Sequence, residues 1–261
     1  MADPREKTFE TFPGFDESDF RAFEKEKQRD AAFNPTRLVV KRKLAGLGKD
    51  LEPALAAAGL ALETRTSLSH PYTYNGYRVD SMWVYFGRAE KEKAALRKLL
   101  GAEFKQDLDP SYTQTILFVE IALDGLKAGL KVHPAAWWDA QNLKNRCTRG
   151  EAAEAARREL AAVLNALPAG FAMTMADYRR RYEAGKIHPA DVANFFQYFT
   201  PGEMWLHVQL AVPRAEALAT PAAPADALRE RLRGALVALS PLYRFIAWTP
   251  LNDHVLSKRD V

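Results

Sequence analysis

The chain has 261 residues, 48% of them hydrophobic and 11% aromatic, which is ample material for a core and excludes wholesale disorder. Its 37 basic and 33 acidic residues leave a formal net charge of +4, too small to demand a polyanionic partner and positive enough to allow one. A lone cysteine, Cys147, excludes an intramolecular disulfide, and no stretch approaches the roughly 20 uncharged apolar residues that cross a bilayer.

The opening MADPREKTFETF carries charges where a secretory leader needs an apolar run, so together with the single thiol it points to the cytoplasm and to no membrane association. Phe9, Phe12, Phe15, Phe20 and Phe23 are too many aromatics to stand in water; residues 1–17 are read as an aromatic arm packed on the body. Leu44, Leu47, Leu51, Leu55 and Ala58 recur at helical spacing, with Gly59 in a C-terminal position. A strand is expected over Ala61–Thr66. Val79–Gly87 is apolar on both faces, as in a strand covered on two sides. Glu90–Leu100 follows as a helix ended by Gly101.

Thr113–Asp124 and Gly129–His133 read as strands too close for a parallel crossover, hence an antiparallel hairpin. Thr148 and Glu151 have capping-box spacing for a helix reaching about Leu167, and Thr174 is placed as the cap of another through Tyr182. Pro189 suits the first position of a helix before Phe199. In Met204–Val212 the even positions are apolar, while Trp205, His207, Gln209 and Ala211 share the other face. Ala215–Ala227 reads as a surface loop leading to a helix striped by Leu228, Leu232, Ala235, Leu236 and Leu239. The sum is a single α/β domain of the α+β type over residues 1–261, with helices packed on a largely antiparallel mixed sheet.

The order of several short patterns resembles the YktB-like family of uncharacterised bacterial proteins. They are Asp19-Phe20-x-x-Phe23, then Lys43-Leu44-x-x-Leu47-Gly48-x-x-Leu51-x-Pro53-x-Leu55, then Asp80 to Phe86. Thr115 to Lys131, Leu167 to Phe171, Leu206 to Val212 and Pro241 to Arg244 continue the likeness over most of the chain. His133 to Cys147 and Tyr178 to Phe199 have no counterpart. The resemblance implies an α/β fold and a cytoplasmic bacterial protein, and it implies no activity or cofactor.

Two segments concentrate side chains that suit a ligand. Ser69–Arg78 brings His70, Tyr72, Tyr74, Tyr77 and Arg78 around an Asn-Gly pair. Tyrosine faces and a guanidinium fit a nucleobase, phosphate or carboxylate, whereas the plainer reading is a hairpin turn covering a sheet edge. His133–Arg146 ends a strand and opens a helix on which Asn142 and Arg146 share a face, with Lys144 close by. There the plainer reading makes Asp139 an N-cap on a solvated helix. The histidines at 70, 133, 188, 207 and 254 show no metal-ligand spacing, so no metal is expected. Ala45–Asp50 lacks the first glycine of a phosphate loop and lies within a helical stripe. Arg179-Arg180-Arg181, placed on a helix, would spread around its circumference.

Two acid-poor stretches, Arg37–Lys49 and Lys127–Arg149, favour a binding protein for an anionic small molecule or nucleic acid. The alternative is an enzyme on a small anionic substrate. It would use His70 or His133 as acid/base, Asp80, Glu120 or Asp139 as orienting carboxylates, and Arg78 or Arg146 as clamp. A third reading, an interaction or oligomerisation module, draws on the aromatic arm.

Overall fold

The computed structural model describes residues 11–94, 113–175, 178–218 and 224–255, with only the backbone of Tyr74, Pro224 and Ala225. Among the described residues, seven strands form one antiparallel sheet. Across it run β1 (Leu62–Thr66), β2 (Ser81–Arg88), β3 (Ile116–Ala122), β4 (Gly125–Val132), β7 (Leu206–Pro213), β5 (Ala172–Met175) and β6 (Tyr182–Glu183). The longer helices are α2 (Asn34–Ala57), α4 (Trp137–Thr148), α5 (Ala153–Asn165), α6 (Pro189–Tyr198) and α8 (Pro224–Ala238). Shorter ones are α1 (Glu17–Arg21), α3 (residues 90–94 of the expected Glu90–Leu100, the rest lying outside the described residues), α7 (Arg214–Leu218) and α9 (Ser240–Ile246). The fold is therefore the α+β arrangement that the alternating patterns predict.

Contacts gather the chain into two compact units. The first holds Met1–Phe86, Phe118–Ala128 and Ala211–Val237; the second holds Gly87–Leu117, Gly129–Leu210 and Ala238–Val261. The boundary falls inside β2, β3, β4 and β7.

In the first unit, Leu44, Leu47, Leu51 and Leu55 are buried on α2, which packs on β1. Gly48 permits the close approach, since a Cβ there would collide with the side chains of Thr64 and Val84. Burying each leucine contributes about 1.5–3 kcal/mol. Phe12 and Phe15 are buried in edge-to-face contact at 4.9 Å, and the Phe12 amide donates to Asp50 at 3.0 Å. Phe9 lies outside the described residues.

The same unit consumes two members of the first acid-poor stretch. Arg37 is fully buried and donates to the carbonyls of Lys27 (2.9 Å), Asp30 (2.7 Å) and Ser69 (3.1 Å) and to the Asn34 amide oxygen (2.7 Å). Lys43 bridges Asp16 at 2.8 Å and Asp19 at 2.6 Å, the two carboxylates that cap α1. Burial works to raise the Asp16 carboxyl, but the Lys43 ammonium and Ser18 hold it down to about 2.

In the second unit, α4, α5, α6 and α9 pack on one another. Leu206, Val208 and Leu210 of β7 are buried, while His207 and Gln209 are half-buried on the opposite face.

Several local expectations are corrected. Among the described residues from Thr174 to Tyr182 none is helical: β5 pairs antiparallel with both β7 and β6, and four residues are too few to show a period. No capping box forms at Thr148, whose hydroxyl donates instead to the Lys144 carbonyl at 2.7 Å; α5 starts only at Ala153. The stretch Ala215–Ala227 carries the end of α7 and the start of α8.

Candidate functional site

The loop at 70–78 belongs to the first unit and satisfies its own polar groups. A 3-10 turn over Thr73–Asn75 ends at Gly76, in the left-handed region at φ 60°, and Tyr77 follows there at φ 56°. The Asn75 side chain accepts from the Tyr72 amide at 2.7 Å and donates to the His70 carbonyl at 2.9 Å. Arg78 pairs with Asp80 at 2.7 Å, both half-exposed. The guanidinium and carboxylate assigned as clamp and orienting group thus neutralise each other. His70 lies edge-on to Tyr72 and lines an open groove of about 660 Å³ with Val39, Arg42 and Ser69.

Helix α4, in the second unit, turns its polar residues inward. Asp139 is not the N-cap, which is Ala136. It is fully buried and receives Arg88 Nη1 (2.9 Å) and Nη2 (2.5 Å), the Thr115 amide and hydroxyl (2.8 Å each) and the Trp248 amide (2.8 Å). Burial alone would raise its pKa; Arg88 and these donors lower it. Two oxygens that accept five hydrogen bonds have nothing left for a substrate.

The other α4 side chains hold the chain that follows α9. Asn142 accepts from the His254 amide at 2.7 Å, and Asn145 donates to the His254 carbonyl at 2.8 Å. Arg146 donates to the Phe245 carbonyl and to Asn252 at 3.2 Å, pairs with both Glu159 oxygens, and stacks 3.6 Å from the Phe245 ring centre. Lys144 donates to the Phe199 carbonyl at 2.7 Å. The spacing that suggested a ligand face instead fastens residues 244–254. Beside it lies a groove of about 1660 Å³, where Arg146, Arg149 and Arg244 are balanced by Glu151, Glu159 and Asp253. Cys147, on the same helix, is buried, and burial pushes its thiol up to about 12.

The second unit's sheet face is different. His133 meets Trp205 edge-to-face with centroids 4.1 Å apart, His207 lies 5.4 Å from the same indole, and Lys131 Nζ sits 5.6 Å from the Trp205 ring centre. Gly129 keeps the face shallow, because a Cβ there would meet the Gln209 side chain and the Val208 carbonyl. Thr174 pairs with His207 and extends the polar row onto β5.

The His133 Nδ1 accepts from the Ala135 amide at 2.8 Å, so its neutral ring carries the proton on Nε2. Burial and then the Lys131 charge lower its pKa. His133 is therefore a fixed donor at neutral pH and lacks the exposed lone pair of a general base.

Of the four residues assigned to acid-base chemistry, His70 and Asp80 belong to the first unit and His133 and Asp139 to the second. Among the described residues, no group of three or more His, Cys, Asp or Glu side chains is placed to hold a metal ion. Sequence reading missed Lys131 and Trp205 as partners of His133. The available signal was the period-two pattern, which already set Trp205, His207 and Gln209 on one face. Compared with known proteins, the chain matches no family model and no curated protein.

Proposed function

We propose that the protein binds an anionic ligand on the sheet face formed by Lys131, His133, Trp205 and His207. The observation that carries this reading is a lysine ammonium and an oriented imidazole gathered around one half-buried indole. Lysine supplies charge, His133 supplies direction, and the half-buried indole lowers the local dielectric so that each counts for more than in open water. The buried thiol of Cys147 suits a reducing, cytoplasmic setting.

Titration with inorganic tripolyphosphate, followed by tryptophan fluorescence and calorimetry, tests the reading. Binding is expected to weaken steeply with added salt and to fall about tenfold in Lys131→Ala. Failure of any salt-sensitive association at low ionic strength would remove it.

A second reading, a protein-contact surface, rests on Tyr72 and Tyr77, which are 47% and 60% exposed on the loop of the first unit. Tyrosines displayed on a self-braced turn lose little entropy on contact. A strict monomer that captures no partner through this loop counts against it.

A further inference from the structure

We infer that two copies of this chain join through the edge strand β1, paired antiparallel about Thr64, an inference that stands apart from the anion-binding reading above. Among the described residues β1 ends the sheet on one side and has β2 as its only neighbouring strand. The Ser67 amide donates to the Trp83 carbonyl of β2 at 2.9 Å. In an antiparallel ladder the backbone turns alternately toward and away from its partner. Glu63 and Arg65 therefore address β2, while Thr64 and Thr66 present their N–H and C=O groups to the open edge. Among the described residues, no loop, helix or side chain bonds to the backbone of Thr64 or Thr66. An open edge of this kind is a template for another strand.

The sequence of β1, Leu62-Glu63-Thr64-Arg65-Thr66, selects a second copy as that strand. The side chains of Glu63 and Arg65 share one face, are 39% and 40% exposed, and approach each other at 3.8 Å within the chain. A two-fold axis at Thr64 sets Glu63 opposite the partner's Arg65 and Arg65 opposite the partner's Glu63, so the strand is complementary to itself. Those two positions are non-hydrogen-bonded pairs, where facing side chains come closest. The contact within each chain is kept and becomes part of a ring of four alternating charges. An axis at Thr66 would instead spend Arg65 on Ser67 and Glu63 on Ser69. An axis at Leu62 meets an amide already given to the Leu60 carbonyl at 3.1 Å.

The helix layer fits the same axis. Gly48 of α2 lies against the side chains of Thr64 on β1 and Val84 on β2, so the helix runs over the seam between the two strands. Strands are about 4.8 Å apart, which puts the α2 axis about half that distance inside β1 and the two α2 axes of a pair about 10 Å apart. Packed helices lie about 8–10 Å apart. A helix centred over β1 itself would collide with its copy. Glu52 accepts from the Thr64 hydroxyl at 3.0 Å and is exposed, as is Lys49 three residues before it, so each carboxylate near the axis arrives with a cation.

The test is sedimentation equilibrium of the full chain from about 1 to about 300 µM at low and high salt, since a short edge contact belongs to the weak end of interfaces. A monomer–dimer equilibrium that weakens with salt is expected. Arg65→Glu and Glu63→Arg each place like charges opposite one another, and each should raise the dissociation constant about tenfold with the melting temperature and tripolyphosphate binding unchanged. An equimolar mixture of the two variants restores complementarity across the axis, and so does the double variant Glu63→Arg, Arg65→Glu. Both should associate like the parent.

A parent that sediments as a monomer throughout overturns the inference, and tripolyphosphate binding by that monomer leaves the anion reading standing. Dimers that ignore both single substitutions place the contact on another surface and overturn it as well. Failure of the mixture to associate, with each variant melting like the parent, overturns the register about Thr64.

Discussion

Helix α4 and the exposed face of β4 and β7 carry similar side chains at regular spacing and put them to opposite uses. On α4, Asp139 and Asn142 accept from Arg88, Trp248 and His254, and Asn145 and Arg146 donate to His254, Phe245 and Asn252. On the strands, Lys131, His133 and His207 gather around an indole on a half-buried surface. On the helix the polar side chains are spent on the backbone that follows α9, and on the strands they surround an aromatic ring. That distinction is invisible in composition and decisive in chemistry.

The largest test of the contrast is Asp139→Ala. It leaves the Arg88 guanidinium buried without its carboxylate and is expected to cost about 3–5 kcal/mol in denaturant unfolding. A loss under about 1 kcal/mol would show that α4 is not the inward-facing fastening described here.

Acid acts on the same pair. Because the folded-state pKa of Asp139 is depressed, its stabilisation is fully present above the unfolded value near 4 and is lost as pH falls through the folded one. Asp16, held at about 2, contributes with the same sign, while its neighbour on Lys43, Asp19, is raised by burial and opposes it. Stability measured against pH should therefore fall below about pH 4, and Asp139→Asn should flatten that limb.

Asn142→Ala is expected to cost about 1–3 kcal/mol by orphaning the His254 amide, with no change in anion binding. On the strand face the pattern reverses: Lys131→Ala should shift stability by less than about 0.5 kcal/mol and reduce the salt dependence of binding. Since His133 already has a lowered pKa and is neutral, binding should stay flat from about pH 8 to 6.5 and rise only in more acidic buffer. The smallest effect belongs to the half-exposed pair Arg78–Asp80, where Arg78→Ala is expected to change stability by at most about 1 kcal/mol.

What was legible in the sequence follows from the distance over which each decision is made. The stripe of Leu44, Leu47, Leu51 and Leu55 and the alternation of Leu206, Val208 and Leu210 are local periods, and the structure buries both. β6 has two residues and β5 four, so neither offers a period to read, and Thr174 was taken for a helix cap.

The basic stretches misled for another reason. Arg37 and Lys43 are claimed by Lys27, Asp30, Ser69, Asp16 and Asp19, and Arg146 by residues about a hundred positions later. Counting charge along a segment cannot see acceptors supplied by the fold. Half of the candidate site was nonetheless in view: the polar side of β7 was readable, while the approach of Lys131 and His133 to it required the β4–β7 pairing.

The interleaving of the two units has a consequence for how this protein can be dissected. Each unit is assembled from three stretches separated by pieces of the other, and the changeover happens within strands. No single cut liberates either half as a contiguous fragment. Mapping activity here calls for point substitutions on the intact polypeptide, because deletion series would report collapse of the whole.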